Sequence, residues 1–461
     1  MISHAAYNGP HRVFFRPMVP TNLSQDRART PVCVIGGGYV GVVTAACLAE
    51  RGHTVRIVEV ERERMEMLRA GRAPIHEPGL DEILQEVTRS GRFCATEDVR
   101  EGMAGAGVAL IAVGTPPLVD GNADLSQVHA AVSAAAAAAE PGTVIAIKST
   151  VPPGTTASLR RTAGCSSSGH LELVACPEFL REGSAIHDSR HPARIVVGGD
   201  DEAACQRVMQ LWDGLPGERI LTDSTSAEMI KYGSNTFLAL KISFINEIAH
   251  LCELTGGDIT AVADGIGSDP RIGRSFLNAG LGFGGSCFPK DVRALDETAS
   301  YHGHSFWLLK AAIEVNTQQR RRFVAKVQRA LGGQLHDTRI GVLGLAFKPG
   351  TDDIRQAASI DIIRHLQDLG ASVTATDPVA IDRARPALPT TAMTDDPYAC
   401  VAGADAVVLI TEWPEYVQMD WGRVASAVRR PIVVDGRNAL DAQHLAGLGF
   451  NYMGIGRRER W

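Results

Sequence analysis

The chain has 461 residues, and hydrophobic side chains make up 45% of them, which is enough to bury sizeable cores. The 46 Lys and Arg against 52 Asp and Glu give a formal net charge of −6. This balance argues against a general nucleic-acid coat protein, which needs a concentrated basic field. No run of 18 or more strongly apolar residues occurs, so no membrane span is expected.

Residues 1–30 carry no continuous apolar segment, and we interpret them as an N-terminal tail without a secretory signal. Nine cysteines are spread along the chain, and no Cys-x-x-Cys pair occurs. This pattern is not typical of a disulfide scaffold or a zinc site, so no metal is predicted. It fits a reducing cytoplasm, where most cysteines act as small buried apolar residues.

The first predicted domain begins with an apolar strand at 32–35, a glycine-rich turn at 36–41 and a helical pattern that runs to Glu50. A second strand at 55–58 ends at Glu59. This order is the βαβ unit of a doubly wound parallel sheet, and it opens a domain that we place at 31–222. The apolar strands that extend this domain are predicted at 108–113, 143–147 and 173–175.

Long helical patterns at about 227–255 and 306–331 predict a central helical region at 223–330. Apolar helices of this length bury more than one face, so we expect the region to connect two domains and to form a dimer interface. The α/β pattern then restarts, and its strands recur in the order of the first domain. The predicted fold class is α/β, with two Rossmann-like doubly wound domains, the second at 331–461, joined by a central helical dimerisation region.

The turn at 36–41 has the Gly-x-Gly-x-x-Gly spacing. Gly36 permits a tight turn, Gly38 lets a pyrophosphate approach the backbone, and Gly41 lets the helix pack closely on the strand. The start of the helix offers N–H groups to the phosphates. Glu59 is placed to accept hydrogen bonds from ribose hydroxyls and to repel a 2′-phosphate. These residues predict a dinucleotide site that prefers NAD to NADP.

A second glycine turn, with Gly341 and Gly344, lacks this spacing, so we do not expect a second NAD site there. Three cations of the same half lie in or near its loops, where they suit an anionic nucleotide. Solvated surface charge is the alternative interpretation. These cations are Lys348, Arg355 and Arg437.

A second candidate site is the glycine loop at 282–291, which contains Cys287. Three glycines in four positions suit neither a helix nor a plain strand, so we expect this backbone to pack closely against another segment. Lys290 lies three residues after the thiol, and a nearby cation favours the thiolate form. Cys287 is therefore a candidate nucleophile, with a buried inert cysteine as the alternative.

Two pairs of polar residues have a four-residue spacing. Glu178 and Glu182 would share one face if their segment were helical, and Lys231 and Asn235 share one on a predicted helix. The segment at 148–154 follows a strand end, where ligands bind in parallel sheets. Ordinary surface charge is the alternative for all of these residues.

Taken together, these segments resemble the nucleotide-sugar dehydrogenases, the UDP-glucose/GDP-mannose dehydrogenase family, over about residues 31–440. The pieces occur in the family order, and their joint occurrence by chance is implausible. They lie at 36–41, 74–80, 113–116, 148–152, 177–183, 231 with 235, 284–291, 344–348 and 435–437.

The resemblance implies an NAD-dependent four-electron oxidation, in which the 6-hydroxymethyl group of a nucleotide hexose becomes a carboxylate. UDP-glucose, giving UDP-glucuronate, is the expected substrate, and dTDP-glucose or GDP-mannose are the alternatives for the same chemistry. A homodimer or a higher homo-oligomer is expected. A non-catalytic NAD-binding scaffold is the alternative from another class, and it would require a damaged site.

The resemblance also implies roles for single residues. Cys287 would be the nucleophile that forms a thiohemiacetal and then a thioester. Lys231 and Asp291 would move protons and stabilise the developing oxyanion, with help from Asn235. The residues that would orient or activate water are Thr150 and Glu182.

The remaining implied residues bind the two nucleotides. The cofactor-binding residues would be Gly36, Gly38, Tyr39, Val40, Gly41, Glu59, Arg64, Thr115, Thr150, Glu182, Lys290 and Arg355. The substrate-binding residues would be Glu178, Phe179, Leu180, Lys231, Asn235, Arg271, Phe283, Gly284, Lys348 and Arg437, with Arg271 crossing from a partner subunit. Glu59 departs from the family pattern, where aspartate is usual, and so does Cys176, where asparagine is usual.

Overall fold

A computed structural model describes residues 30–162 and 171–457. The predicted tail, except for its last residue, lies outside the described residues. The chain divides into two compact units, one of residues up to Leu118 with Ala123–Tyr232 and the other of Val119–Asn122 with the residues from Gly233 onwards. Among the described residues, no helix combines the length and the apolar character that a membrane crossing requires.

The first unit is built on one large sheet. Its strands are β1 (Val32–Ile35), β2 (Val55–Val58), β3 (Phe93–Thr96), β4 (Val108–Ile111), β5 (Val144–Ile147), β6 (Glu172–Ala175), β7 (Arg194–Gly198) and β8 (Glu218–Thr222). In the described part of the unit they take the order β3-β2-β1-β4-β5-β6-β7-β8, parallel except where β6 meets β7. The first six strands therefore have the order of a dinucleotide-binding fold.

The central strands form because their residues are apolar on both faces. All four residues of each of β1, β4 and β5 are buried, as expected for parallel strands covered by helices. The covering helices are α1 (Tyr39–Glu50), α2 (Arg62–Arg69), α3 (Leu80–Arg89), α4 (Val99–Met103), α5 (Ser126–Ala138), α6 (Thr155–Thr162), α7 (Ala185–Arg190) and α8 (Glu202–Met209). The predicted strands are confirmed, with ends that differ by up to two residues.

The predicted central helices are also confirmed. The helix α9 (Ser224–Thr255) is 32 residues long and carries both Lys231 and Asn235. The next helices along the chain are α10 (Ile259–Gly267), α11 (Phe288–Tyr301) and α12 (Trp307–Ala330).

The second unit contains a parallel sheet that repeats the topology of the first. Its strands are β9 (Arg339–Leu343), β10 (Ser372–Thr376), β11 (Ala392–Met393), β12 (Ala406–Leu409), β13 (Ile432–Asp435) and β14 (Asn451–Gly454). Within the described residues their order is β11-β10-β9-β12-β13-β14. This matches the order β3-β2-β1-β4-β5-β6 of the first six strands in the first unit. The remaining helices are α13 (Ala358–Asp368), α14 (Ile381–Ala384), α15 (Pro397–Val401), α16 (Pro414–Val417), α17 (Trp421–Ala427) and α18 (Ala442–Gly447). The prediction of two Rossmann-like sheets is confirmed.

The segment that carries Glu178 and Glu182 is not helical. Residues 177–183 form a loop, so the four-residue spacing of the two acids does not place them on one helical face. The Glu178 carboxylate accepts a hydrogen bond from the N–H of Leu180, and Gly183 adopts a positive φ of 77°. Both features belong to turns, because a side-chain acceptor two residues back and a left-handed glycine interrupt the helical hydrogen-bond pattern.

Candidate active site

The glycine turn lies between β1 and α1. Gly36 has φ 113°, and a Cβ atom there would lie 2.5 Å from the carbonyl oxygen of Ala112. A Cβ at Gly38 would meet no atom within 4 Å, so the side of the turn next to Gly38 is open. Because α1 begins at Tyr39, its first N–H groups border this opening.

Glu59 lies beside the turn, at the end of β2. Its side chain is buried, Oε2 accepts a hydrogen bond from Gly37 N at 2.9 Å, and Oε1 accepts one from Glu61 N at 2.8 Å. Each carboxylate oxygen keeps a second lone pair for a ribose hydroxyl. The open turn, the start of α1 and this carboxylate fit the pyrophosphate and ribose of a dinucleotide.

The other predicted cofactor residues of this unit occupy different surroundings. Tyr39 and Val40 are half-buried in the first turn of α1. Arg64 pairs with Glu61 at 3.0 Å and is about half exposed. Thr115 is buried, and its hydroxyl donates to the carbonyl oxygen of Thr150 at 3.0 Å, so the loops after β4 and β5 meet at these two threonines.

Lys231 and Glu178 form a buried ion pair, which sequence reasoning did not find. The Nζ–Oε1 distance is 2.8 Å, and both side chains are 4% exposed. Burial raises the pKa of Glu178, but the Lys231 ammonium and the hydrogen bond from Leu180 N outweigh it and hold this pKa below its usual value. Glu178 is therefore an ionised partner that fixes the Lys231 ammonium.

Phe179 lies next to this ion pair. The Arg194 guanidinium lies 4.0 Å from the centre of its ring, and the Lys231 ammonium lies 5.5 Å from the same point. A cation over an aromatic face is attracted by the negative π cloud, so the ring is held in place.

In the second unit, Asp291 connects two of the predicted residues. Its Oδ2 accepts a hydrogen bond from Asn235 Nδ2 at 2.7 Å, and its Oδ1 lies 2.6 Å from Lys290 Nζ. Asp291 is 1% exposed. Cys287 lies one turn earlier, where its backbone carbonyl accepts from Asp291 N at 2.8 Å as α11 begins.

The loop before Cys287 packs as closely as its glycines predict. A Cβ at Gly284 would lie 2.4 Å from the carbonyl oxygen of Gln356, and one at Gly285 would lie 2.8 Å from the Phe347 ring. Gly285 N also donates to Arg355 O at 2.9 Å. Any side chain at these glycines would push the loop off the segments that carry Lys348 and Arg355.

The predicted cations of the second unit differ from one another in their hydrogen bonds and in their exposure. Arg437 is the more firmly held, because it donates to Ile410 O at 2.7 Å and to Phe347 O at 3.1 Å, next to Lys348. Arg355 pairs with Asp353 at 2.7 Å and is 63% exposed. Arg271 stands apart, since it is 88% exposed and pairs with Asp269.

Two supporting residues were missed by sequence reasoning. Glu228 is buried on α9, and its carboxylate accepts from Thr156 N at 2.8 Å and from Gly154 N at 2.6 Å, which holds the loop after Thr150. Asn316 bonds both backbone groups of Phe283. Only the position of Glu228, three residues before Lys231 on a predicted helix, was a usable sequence signal.

The doubly wound sheet, its open glycine turn and the acid after β2 are the features of an NAD-binding domain. Residues 30–215 match the NAD binding domain of the UDP-glucose/GDP-mannose dehydrogenase family, residues 225–318 its central domain and residues 341–442 its UDP binding domain. The chain belongs to the UDP-glucose/GDP-mannose dehydrogenase family, and NAD is its cofactor.

Individual relatives agree with this assignment. A UDP-glucose 6-dehydrogenase of Rhizobium meliloti is 43% identical over 433 residues, which cover 92% of this chain and 99% of the relative. One of Pseudomonas aeruginosa is 44% identical over 440 residues, covering 92% and 97%. The structure of a UDP-glucose dehydrogenase from Pyrobaculum islandicum matches with a TM-score of 0.86 and 38% identity, over 95% of this chain and all of the other.

Proposed function

We propose that this enzyme oxidises UDP-glucose to UDP-glucuronate in two consecutive steps through Cys287. The observation that carries the proposal is the position of Cys287 at the start of α11, one turn before the buried group of Asp291, Asn235 and Lys290. Partial positive charge at a helix N-terminus favours a thiolate, which is the nucleophilic form of cysteine.

The chemistry requires a nucleophile because the aldehyde carbon cannot give up its remaining hydrogen as a hydride until an added group makes it a tetrahedral, alcohol-like centre. NAD, when bound, accepts one hydride in each of two oxidations. The first oxidation converts the C6 alcohol to an aldehyde and releases a proton. The Cys287 sulfur then adds to the aldehyde carbon, and the resulting oxyanion takes up a proton to give a thiohemiacetal. Its oxidation gives a thioester, and water cleaves the C–S bond to release the carboxylate and the thiol.

The buried ionic groups suit the changes of charge at C6. Lys231 is a fixed ammonium, held by ionised Glu178, and stabilises the oxyanion that forms when sulfur adds. Asp291 holds the amide of Asn235 for the same oxyanion and takes part in moving its proton. Thr150 and Glu182 orient the water that cleaves the thioester.

The second unit supplies the cations for the sugar nucleotide. Arg437 is held on the carbonyl oxygen of Phe347, so that Arg437 and Lys348 face the same segment. Two cations that contact the same residue suit a diphosphate. We therefore assign binding of the sugar nucleotide to residues 331–461. We also place the reaction in a reducing compartment such as the cytoplasm, because the described cysteines are free thiols.

We also propose that the enzyme is at least a dimer, with α9 at the interface and Arg271 reaching the substrate of the partner subunit. Phe237, Phe244 and Leu251 recur every seven residues along α9 and are 62%, 53% and 53% exposed. A second copy that packs against this stripe would remove it from water. Light scattering of F244E should show a smaller particle than the wild type, while Y301E, at another exposed aromatic side chain, should not. A monomeric wild type would contradict the proposal.

The substrate assignment is tested by initial rates of NADH formation with UDP-glucose, dTDP-glucose and GDP-mannose. We expect UDP-glucose to react fastest and to give two NADH per sugar. Cys287→Ser should bind NADH normally and fail to complete the reaction, while Cys94→Ser, at an exposed cysteine, should keep full activity. NADH binding without turnover of any of the three sugars would refute the function, and full activity of Cys287→Ser would refute the nucleophile.

A further inference from the structure

The segment 74–80 is part of the family pattern, but none of its residues has a role in the two oxidation steps. Its acid, Glu77, is 6% exposed and has hydrogen-bond donors around both carboxylate oxygens. Oε2 accepts from the hydroxyl of Tyr39 and from Gly183 N at 2.7 Å, and Oε1 accepts from Ala185 N at 2.7 Å. Glu77 is therefore a buried carboxylate with its own hydrogen-bond donors, and it is not a solvated surface charge.

These donors belong to two segments that are remote in sequence. Tyr39 is the first residue of α1, whose N–H groups border the open glycine turn. Gly183 N belongs to the peptide group after Glu182, and Gly183 N also donates to the Tyr39 hydroxyl at 3.0 Å. Tyr39, Glu77 and the peptide after Glu182 therefore form a closed hydrogen-bonded triangle.

Only a carboxylate satisfies this arrangement. The donors are one hydroxyl and two backbone N–H groups, and an ionised carboxylate is a side chain that accepts on both ends and donates on neither. A glutamine would turn its NH2 group toward at least one donor. The segment itself is anchored, because Leu80 is fully buried and Leu80 N donates to Glu77 O at 3.1 Å.

We propose that Glu77 is a positioning residue that fixes the first turn of α1 and the peptide after Glu182 relative to each other, so that NAD meets both in one arrangement. The Tyr39 part of this inference needs only the cofactor, whereas the Glu182 part rests on the proposed function. Glu77 acts through its hydrogen bonds, without touching the dinucleotide.

The test is a titration of the full-length protein with NADH, which requires no turnover. Losing hydrogen bonds to a buried charged acceptor should raise the Kd for NADH of Glu77→Gln about 10- to 100-fold. Tyr39→Phe removes the two hydrogen bonds of the Tyr39 hydroxyl but leaves those of Gly183 N and Ala185 N to Glu77, and should raise the Kd about fivefold. The double variant should bind no more weakly than Glu77→Gln, because both changes break the same triangle. The KM for UDP-glucose should stay within about twofold of the wild type.

Asp201→Ala is the matched control. Asp201 caps α8, a helix of the same unit, by accepting a hydrogen bond from Ala204 N at 2.7 Å, so the loss of this cap should lower the Tm and leave NADH binding unchanged. If Glu77→Gln lowers the Tm in the same way and keeps the wild-type Kd, Glu77 is a structural residue and the proposal is wrong. If Glu77→Gln does not fold, Tyr39→Phe decides, and a wild-type Kd for that variant overturns the proposal. Failure of the wild type to oxidise UDP-glucose would remove the proposed function and leave the NADH result to stand.

Discussion

The two glycine turns of this chain start from the same backbone geometry. Gly36 comes after β1 with φ 113°, and Gly344 comes after β9 with φ 104°. Gly36 N donates to Val58 O and Gly344 N to Thr376 O, each at 2.9 Å, so each turn is tied to the end of the neighbouring strand. In both cases a Cβ would lie within about 2.5 Å of another atom. The first residues of the two turns are thus equivalent.

Beyond these first residues the two turns differ. The helix α1 begins at Tyr39, within the first turn, whereas α13 begins only at Ala358. Glu59 accepts hydrogen bonds from Gly37 N and Glu61 N. The acid at the corresponding strand end, Asp377, accepts hydrogen bonds from the N–H groups of Leu345, Ala346, Val379 and Ala380 and from the indole N–H of Trp413.

This difference shows that the strand order of a Rossmann-like sheet does not by itself make a dinucleotide site. The first turn keeps an acid with accepting capacity, an open side at Gly38 and a helix start. The second uses its acid to hold its own loop together, through the N–H groups of Leu345 and Ala346. Substitutions in the two turns can therefore separate the binding of NAD from the stability of the fold.

The largest effect should come from removing the acid of the second turn. Asp377→Ala leaves several buried donors without an acceptor, so the free energy of unfolding should fall by about 4 kcal/mol. Urea denaturation of the full chain measures this loss, and Glu59→Ala, which frees fewer donors, should cost about 1–2 kcal/mol. Equal losses in the two variants would contradict the contrast.

The converse effect should appear in cofactor binding. Glu59→Ala removes a charged acceptor for the ribose hydroxyls and should raise the Kd for NADH about 100-fold. Isothermal titration measures it, with the folded fraction of Asp377→Ala as the control that should keep the wild-type Kd. Unchanged binding by Glu59→Ala would mean that the acid after β2 does not contact the ribose.

A smaller effect should distinguish the space that the turn leaves for the pyrophosphate from the contribution of the turn to the stability of the fold. Gly38 has φ −77°, which alanine adopts without strain, and its side of the turn is open. Gly38→Ala should therefore keep its free energy of unfolding within about 0.5 kcal/mol and raise the Kd for NADH about tenfold, because the methyl group occupies the pyrophosphate space. In contrast, Gly36→Ala should lose both stability and binding. Wild-type affinity of Gly38→Ala would show that the pyrophosphate lies elsewhere.

The smallest effect is a pair of opposite pH dependences. The pKa of Glu178 lies below its ordinary 4.5, so its stabilisation is complete above that pH and is lost as the pH falls through the lower folded value. The pKa of Asp435 is raised from 3.8 by burial, so its stabilisation is greatest below that pH and is lost as the pH rises through the folded value.

Denaturation curves between acid and neutral pH test these signs. The stability of the wild type relative to Glu178→Gln should increase with pH, and its stability relative to Asp435→Asn should decrease with pH. If the two stability differences changed with pH in the same direction, the direction of the pKa shift inferred for Glu178 or for Asp435 would be wrong.

Much of the architecture was predictable from local sequence. Apolar strands, glycine stops and a restart of the pattern at Arg339 led to two doubly wound sheets, because buried parallel strands must be apolar on both faces. The strand pair β7 and β8 and the antiparallel contact of β6 with β7 were not predicted. Short strands with mixed burial carry weak periodicity, and their direction depends on partners far away in sequence.

The candidate site was predictable as a set of residues and not as a set of contacts. Cys287, Asp291 and Lys231 were singled out, yet the ion pair of Lys231 with Glu178 and the support of the 150–156 loop by Glu228 were not. Both contacts join residues more than 50 positions apart, and nothing in local spacing indicates which carboxylate a buried ammonium will meet.

The sequence by itself determined where the backbone must turn, which strands are buried and which side chains can bind a dinucleotide or attack a carbonyl carbon, because these properties depend on residue type and spacing over a few positions. Only the tertiary structure decided that Glu59 keeps accepting capacity for a ligand, whereas Asp377 accepts its hydrogen bonds from the surrounding protein. The same kind of carboxylate comes after β2 and after β10, and the difference lies in how many distant N–H groups the packed chain brings to each.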